Sequence, residues 1–170
     1  MEIEKKDIMI AKLENDIINV YTEKKILIGG INTQSNFKNA EIKIGEKIFQ
    51  LSRNKWETEI SENDKVIYRL NTNSFSGNTK IQETEHKVTG VLGLKWGTKM
   101  LDKENNILLK IRNQNHFINK NKYEIEILNK KATDLDILTT LYGHLYGSNM
   151  KLKALIIGAI AGGIIWIFLK

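Results

Sequence analysis

Short apolar and aromatic runs alternate with clusters of Asn, Gly, Ser and Lys along residues 8 to 128. Period-two alternation is clearest at residues 40–44 and 122–127, where every second side chain is apolar. Such alternation is typical of strands that have one packed face and one wet face. The same reasoning predicts further strands, at residues 16–21, 24–29, 47–52, 55–60, 64–71, 79–88, 94–101 and 106–112.

The connections between these strands are short. Residues 44–47, 61–64 and 102–106 are predicted to be hairpin turns, because their Gly and Asn residues tolerate the positive φ of a tight reversal. About ten strands linked in this way, with no helix between them, favour an antiparallel barrel or a strongly curved sheet, since closure removes unpaired edges. The predicted fold is mainly β.

The pattern changes after residue 130. Thr133 is a candidate N-cap, and apolar residues then recur at helical spacing, which predicts an amphipathic helix over residues 134–146, packed on the sheet or inside it. A second helix is predicted over residues 151–169, and it is wholly apolar from residue 154. Residues 1–149 would thus form the β-domain with its amphipathic helix, and residues 151–170 a hydrophobic C-terminal helix.

Residues 154–169 contain no charged side chain. A helix of this length is roughly 24 Å long, so it is predicted to be a transmembrane anchor in a slightly thinned bilayer. Lys151 and Lys153 would stay on the cytosolic side, Lys170 would cross, and Trp166 would lie at interface depth.

An all-apolar helix also suits the interior of a closed barrel, and this alternative stays open. Gly158 and Gly162 form a small-residue stripe, which would allow close helix packing or merely fill space.

Charge and composition narrow the classes of partner. The net charge is +6 with no cysteine, and the N-terminus lacks a secretory signal, so we expect the β-domain to lie in the cytoplasm. The basic excess is mild and interleaved with acids, which argues against a nucleic-acid partner. Basic residues flank the last predicted strand and could contact a lipid headgroup, or be solvated turns: Lys120, Lys122, Lys130 and Lys131.

No phosphate-binding loop, nucleophile elbow or metal-ligand spacing occurs in the sequence. His86, His116 and His144 are widely separated and are interpreted as residues of surface strands or helices, and Glu83 and Glu85 as one solvated strand face. We therefore expect no enzyme activity, and predict no catalytic residue, cofactor or metal.

Two passages resemble the tubby C-terminal-like superfamily, which includes LURP-one-related proteins and phospholipid scramblases. Residues 99–111 together with 123–127 look like that family's hairpin and following strand, and residues 150–159 are similar to the opening of the scramblase terminal helix. The resemblance covers residues 99–170 and implies a helix running through a barrel, with phosphoinositide binding or membrane tethering in some members. The calcium-binding and cysteine-rich segments of scramblases have no counterpart here.

The sequence therefore predicts a non-enzymatic, tail-anchored membrane protein whose cytosolic tubby-like β-domain binds a membrane lipid headgroup or a protein partner. The alternative is a soluble tubby-like barrel whose C-terminal helix forms the buried core, acting as a ligand-binding or regulatory module.

Overall fold

The computed structural model describes residues 7–34, 37–73, 76–91, 97–115 and 119–148. Twelve antiparallel strands pair in sequence order, and β1 closes on β12 to complete a barrel. The predicted mainly-β barrel is confirmed. The strands are β1 Asp7–Glu14, β2 Ile17–Thr22, β3 Leu27–Thr33, β4 Asn39–Ile44, β5 Lys47–Asn54, β6 Glu57–Glu62, β7 Lys65–Thr72, β8 Thr79–Ile81, β9 Lys87–Val91, β10 Gly97–Leu101, β11 Ile107–Asn115 and β12 Asn119–Ile127.

The three predicted hairpin turns have the backbone that their residues favour. Gly45 has φ +58°, Asn63 and Asp64 have φ 49° and 62°, and Asn105 has φ 66°. Asp102 accepts hydrogen bonds from the backbone N–H groups of two following residues, which fixes the last of these turns.

A helix, α1, occupies the barrel interior over residues 134–148, the last described residues. Thr133 caps it, since the Asp136 N–H donates to Thr133 Oγ1 at 3.1 Å and the Thr133 N–H donates to Asp136 Oδ2 at 3.0 Å. This reciprocal pair satisfies two backbone donors at the start of the helix. The predicted N-cap and first helix are confirmed.

Helix α1 is buried on all its faces over residues 136–142. Ile137, Leu138, Leu141 and Tyr142 pack into the core that the inward side chains of the strands create, and Thr139 and Thr140 are also buried. We call the end of the barrel where α1 begins the upper end, and the opposite end the lower end. Within the described residues the helix of the core is therefore α1, while residues 151–169, which the alternative reading placed in the core, lie outside the described part.

The predicted second helix, at residues 151–169, lies outside the described residues. The described part of the chain contains one helix, α1, and not two. No helix in this part is long and apolar enough to cross a bilayer. Helix α1 instead carries the buried polar residues Asp136 and His144 inside the barrel. The predicted tail anchor, transmembrane helix and membrane localisation are corrected on this finding.

Candidate binding groove

Two consecutive glycines in β3 allow close approach on both faces of the barrel wall. Gly29 faces inward, and a Cβ added there would lie 2.8 Å from Leu138 Cδ1 and 2.5 Å from the Lys43 carbonyl oxygen. Gly30 faces outward, and a Cβ there would lie 2.6 Å from Asn19 Oδ1 and 2.9 Å from Ile17 Cγ2. Real Cβ atoms do not fit at such distances, so any larger residue at either position would displace a neighbour.

Gly30 forms the floor of a groove of about 190 Å³ on the outer face of β2, β3 and β4. Ile17 and Leu27 are the apolar walls, with 38% and 56% of their surface exposed. The polar lining comes from three strands, because Asn19 and Lys43 pair directly with Gly30, and Glu41 pairs with Asn32 one step further along. The groove thus combines apolar walls with a few polar groups.

Further apolar side chains continue the surface around the groove. Ile26 precedes Leu27 and is more exposed than it, and Ile48 pairs with Lys43 across β4 and β5. Isolated apolar side chains are normal on a protein surface, whereas a cluster beside a concave site is characteristic of a binding surface.

A hydrogen-bonded cluster on β1 and β2 fixes the position of Asn19. Asn19 Nδ2 donates to Glu14 Oε2 at 3.0 Å, Tyr21 donates to the same oxygen at 2.5 Å, and Lys12 Nζ lies 2.6 Å from Glu14 Oε1. Hydrogen bonds from Lys12, which has the largest effect, and then from Tyr21 and Asn19 lower the pKa of Glu14 to about 2. With its amide nitrogen held in this way, Asn19 keeps Oδ1 over the groove floor as an acceptor.

The predicted headgroup contacts do not form one patch. Lys120 and Lys122 belong to β12, and Lys122 pairs with Lys12 towards the lower end. Lys130 and Lys131 are exposed beyond the other end of that strand, at the upper end. They are separated by most of the length of β12, roughly 25 Å at 3.3 Å per residue. The candidate membrane-anchor and helix-packing residues lie outside the described part: Lys151, Lys153, Gly158, Gly162, Trp166 and Lys170.

His144 and Glu83, two polar residues considered in the sequence analysis, have hydrogen-bond partners that differ from the expected ones. His144 is buried, with Nδ1 2.8 Å from Thr98 Oγ1 and Nε2 2.8 Å from Asn113 Oδ1, so its predicted surface position is wrong. Glu83 lies in the turn between β8 and β9 and accepts from the backbone and guanidinium of Arg69, so the predicted strand face with Glu85 does not form. Among the described residues no group of three His, Asp or Glu side chains could hold a metal ion.

The groove residues were not identified from the sequence. One signal was present, the Gly29-Gly30 pair at the end of the predicted strand at residues 24–29, because glycine in a strand often marks close approach of a neighbour or ligand. The walls could not be predicted, since Ile17, Leu27 and Lys43 come together only through the register of three strands.

Comparison with known proteins adds evidence on the fold. No protein-family model matches the chain, and no curated protein matches it. The chain is similar to the X-ray structure of a LURP-one-related protein from Arabidopsis thaliana, with 10% sequence identity and a TM-score of 0.56, over 85% of this chain and 91% of that chain. A likeness at this identity concerns the fold alone, and it supports a fold related to that of the LURP-one-related proteins.

Proposed function

We propose that the chain is a non-enzymatic protein-binding module, in which the groove over Gly30 holds an apolar anchor side chain of a protein partner. The observation that carries the proposal is the glycine floor between two exposed apolar walls, Ile17 and Leu27. This reading develops the alternative of a tubby-like ligand-binding module.

The size of the groove favours a side chain over a whole small molecule. Small-molecule sites usually have about 300–1,000 Å³, whereas this groove has about 190 Å³. Protein interfaces are commonly dominated by one or a few aromatic or aliphatic anchors that fill such pockets, and burial of one large apolar side chain contributes roughly 1.5–3 kcal/mol.

The polar lining favours an anchor that carries one hydrogen-bond donor. Asn19 Oδ1 is an acceptor over the floor, while Glu41 at the side accepts from Gln50 Nε2 at 3.1 Å. An indole presents an apolar body with a single N–H donor, which matches apolar walls beside an amide oxygen. We therefore propose tryptophan as the preferred anchor. We also propose that no nucleic acid is bound.

The test uses the full chain labelled with ¹⁵N and titrated with N-acetyl-tryptophanamide. We expect the amide signals of Gly30, Asn32 and Lys43 to shift together, and Gly30→Ala to weaken binding by about tenfold or more, since it moves Asn19 and raises the floor. Gly90→Ala is the matched control, because a Cβ at that strand glycine meets nothing within 4 Å. Equal affinity of Gly30→Ala and the wild type, or shifts confined to other strands, would refute the proposal.

A further inference from the structure

Four neighbouring strands of the barrel wall carry basic charges and no acidic ones. Strands β8, β9, β10 and β11 contain no Asp or Glu. Each of their charged residues is next to a buried residue in sequence and is not itself buried, so its side chain lies on the outer face. We call this outer surface the basic face, and its members are Lys80, Lys87, Lys99, Lys110 and Arg112. Since β9 is opposite β3 in the closed barrel, the basic face is separate from the groove over Gly30.

The strand register places lysines of the basic face directly opposite each other. Lys80 pairs with Lys87 across β8 and β9, and Lys99 pairs with Lys110 across β10 and β11. Side chains in such positions have Cβ atoms roughly 4.5–5.5 Å apart, and like charges placed there are destabilising. Each pair therefore needs compensation by a negative charge or by other partners.

Three members of the basic face have such partners. Lys80 Nζ lies 3.6 Å from Glu85 Oε1, and the guanidinium of Arg112 forms an ion pair with Glu124. Lys87 Nζ donates to an asparagine amide oxygen at 3.2 Å, on the loop between β10 and β11. The ends of the basic face are thus compensated, and its centre is formed by Lys99 and Lys110.

Lys99 and Lys110 form no ion pair with any acid of the described residues. Glu126 lies opposite Lys110 on the β12 side, but it forms no ion pair with this lysine and has another interaction of its own. Both lysines are only partly exposed, and salt screens such charges less than fully exposed ones. Two uncompensated positive charges therefore lie side by side on the outer wall.

A hydroxyl group without a partner lies beside this lysine pair. Thr89 of β9 is directly opposite Lys99, in the same row across the sheet as Lys110. Its Oγ1 atom is buried and has no hydrogen-bond partner among the described residues. Buried polar atoms are rarely left without a partner, so an acceptor that binds in this row would satisfy the hydroxyl.

Gly97 leaves open space next to the lysine pair. It is two residues before Lys99 on the same face of β10, and a Cβ added to it would lie 3.5 Å from Arg112 Cβ. No side chain therefore occupies the position between Lys99 and Arg112. A group of a few atoms bound to the two lysines has room there.

We propose that Lys99 and Lys110 together bind one phosphate monoester group on the outer face of β10 and β11, with the Thr89 hydroxyl as a further donor. A phosphate monoester carries a charge of about −1.5 to −2 at pH 7, which matches two adjacent lysines, whereas a diester carries a single negative charge. Lysine has three donors on a flexible stem, so two ammonium groups can converge on one phosphate. The phosphate belongs either to a phosphorylated side chain or to free inorganic phosphate. This site goes beyond the proposed function and does not depend on the groove.

The test titrates the full ¹⁵N-labelled chain at constant ionic strength with N-acetyl-O-phosphoserine amide, inorganic phosphate and dimethyl phosphate. We expect saturable shifts of the amide signals of Thr89, Lys99 and Lys110 with the first two compounds, and binding of the diester at least tenfold weaker. Tighter binding of the phosphoserine amide assigns the site to phosphorylated side chains, and tighter binding of inorganic phosphate assigns it to the free ion; both results support a site for the dianion. Equal affinity for dimethyl phosphate would overturn the proposal.

Charge-matched variants separate this site from general attraction to a basic protein. Lys99→Gln and Lys110→Gln should each weaken binding by about tenfold or more, since each removes a charged donor to the phosphate. Lys122→Gln is the control, because Lys122 also faces a lysine, Lys12, but Lys12 Nζ lies 2.6 Å from Glu14 Oε1. We expect this control to bind as the wild type does.

The stability of the variants provides an independent readout. Phosphate at constant ionic strength should raise the midpoint of thermal unfolding of the wild type and of Lys122→Gln, and it should leave that of Lys99→Gln unchanged, because a ligand stabilises only a folded state that binds it. Equal responses of the three proteins, or amide shifts spread evenly over the surface lysines, would refute the site. Neither result would affect binding of N-acetyl-tryptophanamide at the groove, so failure of this proposal is distinguishable from failure of the proposed function.

Discussion

The Nδ1 atom of His86, in the connection between β8 and β9, lies 3.5 Å from Oδ1 of Asp136 in the first turn of the interior helix. The Tyr68 hydroxyl, on β7, lies 3.5 Å from the same carboxylate oxygen, and Asp136 is only 2% exposed. These contacts connect the start of α1 to the upper end of the barrel wall. The hydrogen bonds that the buried Asp136 carboxylate needs come from Thr133, whose N–H and hydroxyl donate to Oδ2 at 3.0 Å and 2.8 Å.

Tyr68 makes the fold sensitive to alkaline pH. Burial, and next the charge of Asp136, raises the pKa of Tyr68 from 10.0 to about 12. A group with a raised folded-state pKa contributes stability that is complete below its unfolded value and is lost as pH rises, here between pH 10 and pH 12. We expect Tyr68→Phe to reduce the fall in the free energy of unfolding across this range. Urea denaturation of both proteins at both ends of the range measures it, and parallel falls would contradict the assignment.

Glu14 makes the stability of the fold sensitive to acid pH. Its pKa is lowered from 4.5 to about 2, so its contribution to stability is present above pH 4.5 and is lost as pH falls towards 2. In Glu14→Gln we expect a smaller loss of stability over that interval than in the wild type. Thermal unfolding followed from pH 5 to pH 2 checks the prediction, and an unchanged acid slope would show that the cluster around Glu14 is not formed in solution.

Leu138 tests the position of α1 within the barrel. Its side chain is fully buried and faces Gly29, so Leu138→Ala should leave a cavity and lower the free energy of unfolding by about 2–5 kcal/mol. Ile48→Ala is the control on the outer face, where a surface change should stay within about 0.5 kcal/mol. If both variants were equally stable, α1 would not be the core of the barrel.

His144 joins two strands to α1 through both ring nitrogens. His144→Leu would leave the buried Thr98 hydroxyl and the Asn113 amide each without this partner, at a cost of about 1–3 kcal/mol. Adding Asn113→Leu should recover part of that loss, since one polar group then no longer needs a partner. Urea denaturation of the single and double variants measures the free energy of unfolding of each. If His144→Leu acted only through loss of packing, the second change would destabilise the protein further.

Much of the barrel followed from local pattern. The alternation in β4 and β12 predicted these strands, and the Gly and Asn residues predicted the turns. Both signals are local, because a period of two and a positive φ are properties of a few neighbouring residues. Strand β1 was missed, as Ala11, Lys12 and Leu13 within it are good helix formers. The predicted strand at 79–88 is in fact parts of two strands, β8 and β9. The turn between them, at residues 82–86, contains no Gly, Asn, Asp or Pro, so the sequence contains no signal of it.

The interior of the barrel was less accessible to sequence reasoning. Thr139, Thr140 and His144 are polar residues of the kind that an amphipathic helix exposes to solvent, yet all three are buried. Enclosure by a barrel depends on strand number and closure, which are properties of the whole sheet. The candidate groove depends on strand register in the same way, so only its glycine floor was visible in the sequence.

The most direct test of the groove is an isotope-filtered NOE experiment on the full chain, labelled with ¹³C at its methyl groups, in the presence of unlabelled N-acetyl-tryptophanamide. The account predicts cross-peaks from the indole protons to the methyl groups of Ile17 and Leu27, which Gly30→Ala abolishes and Gly90→Ala preserves. Cross-peaks only to methyl groups on strands remote from β2, β3 and β4 would contradict it.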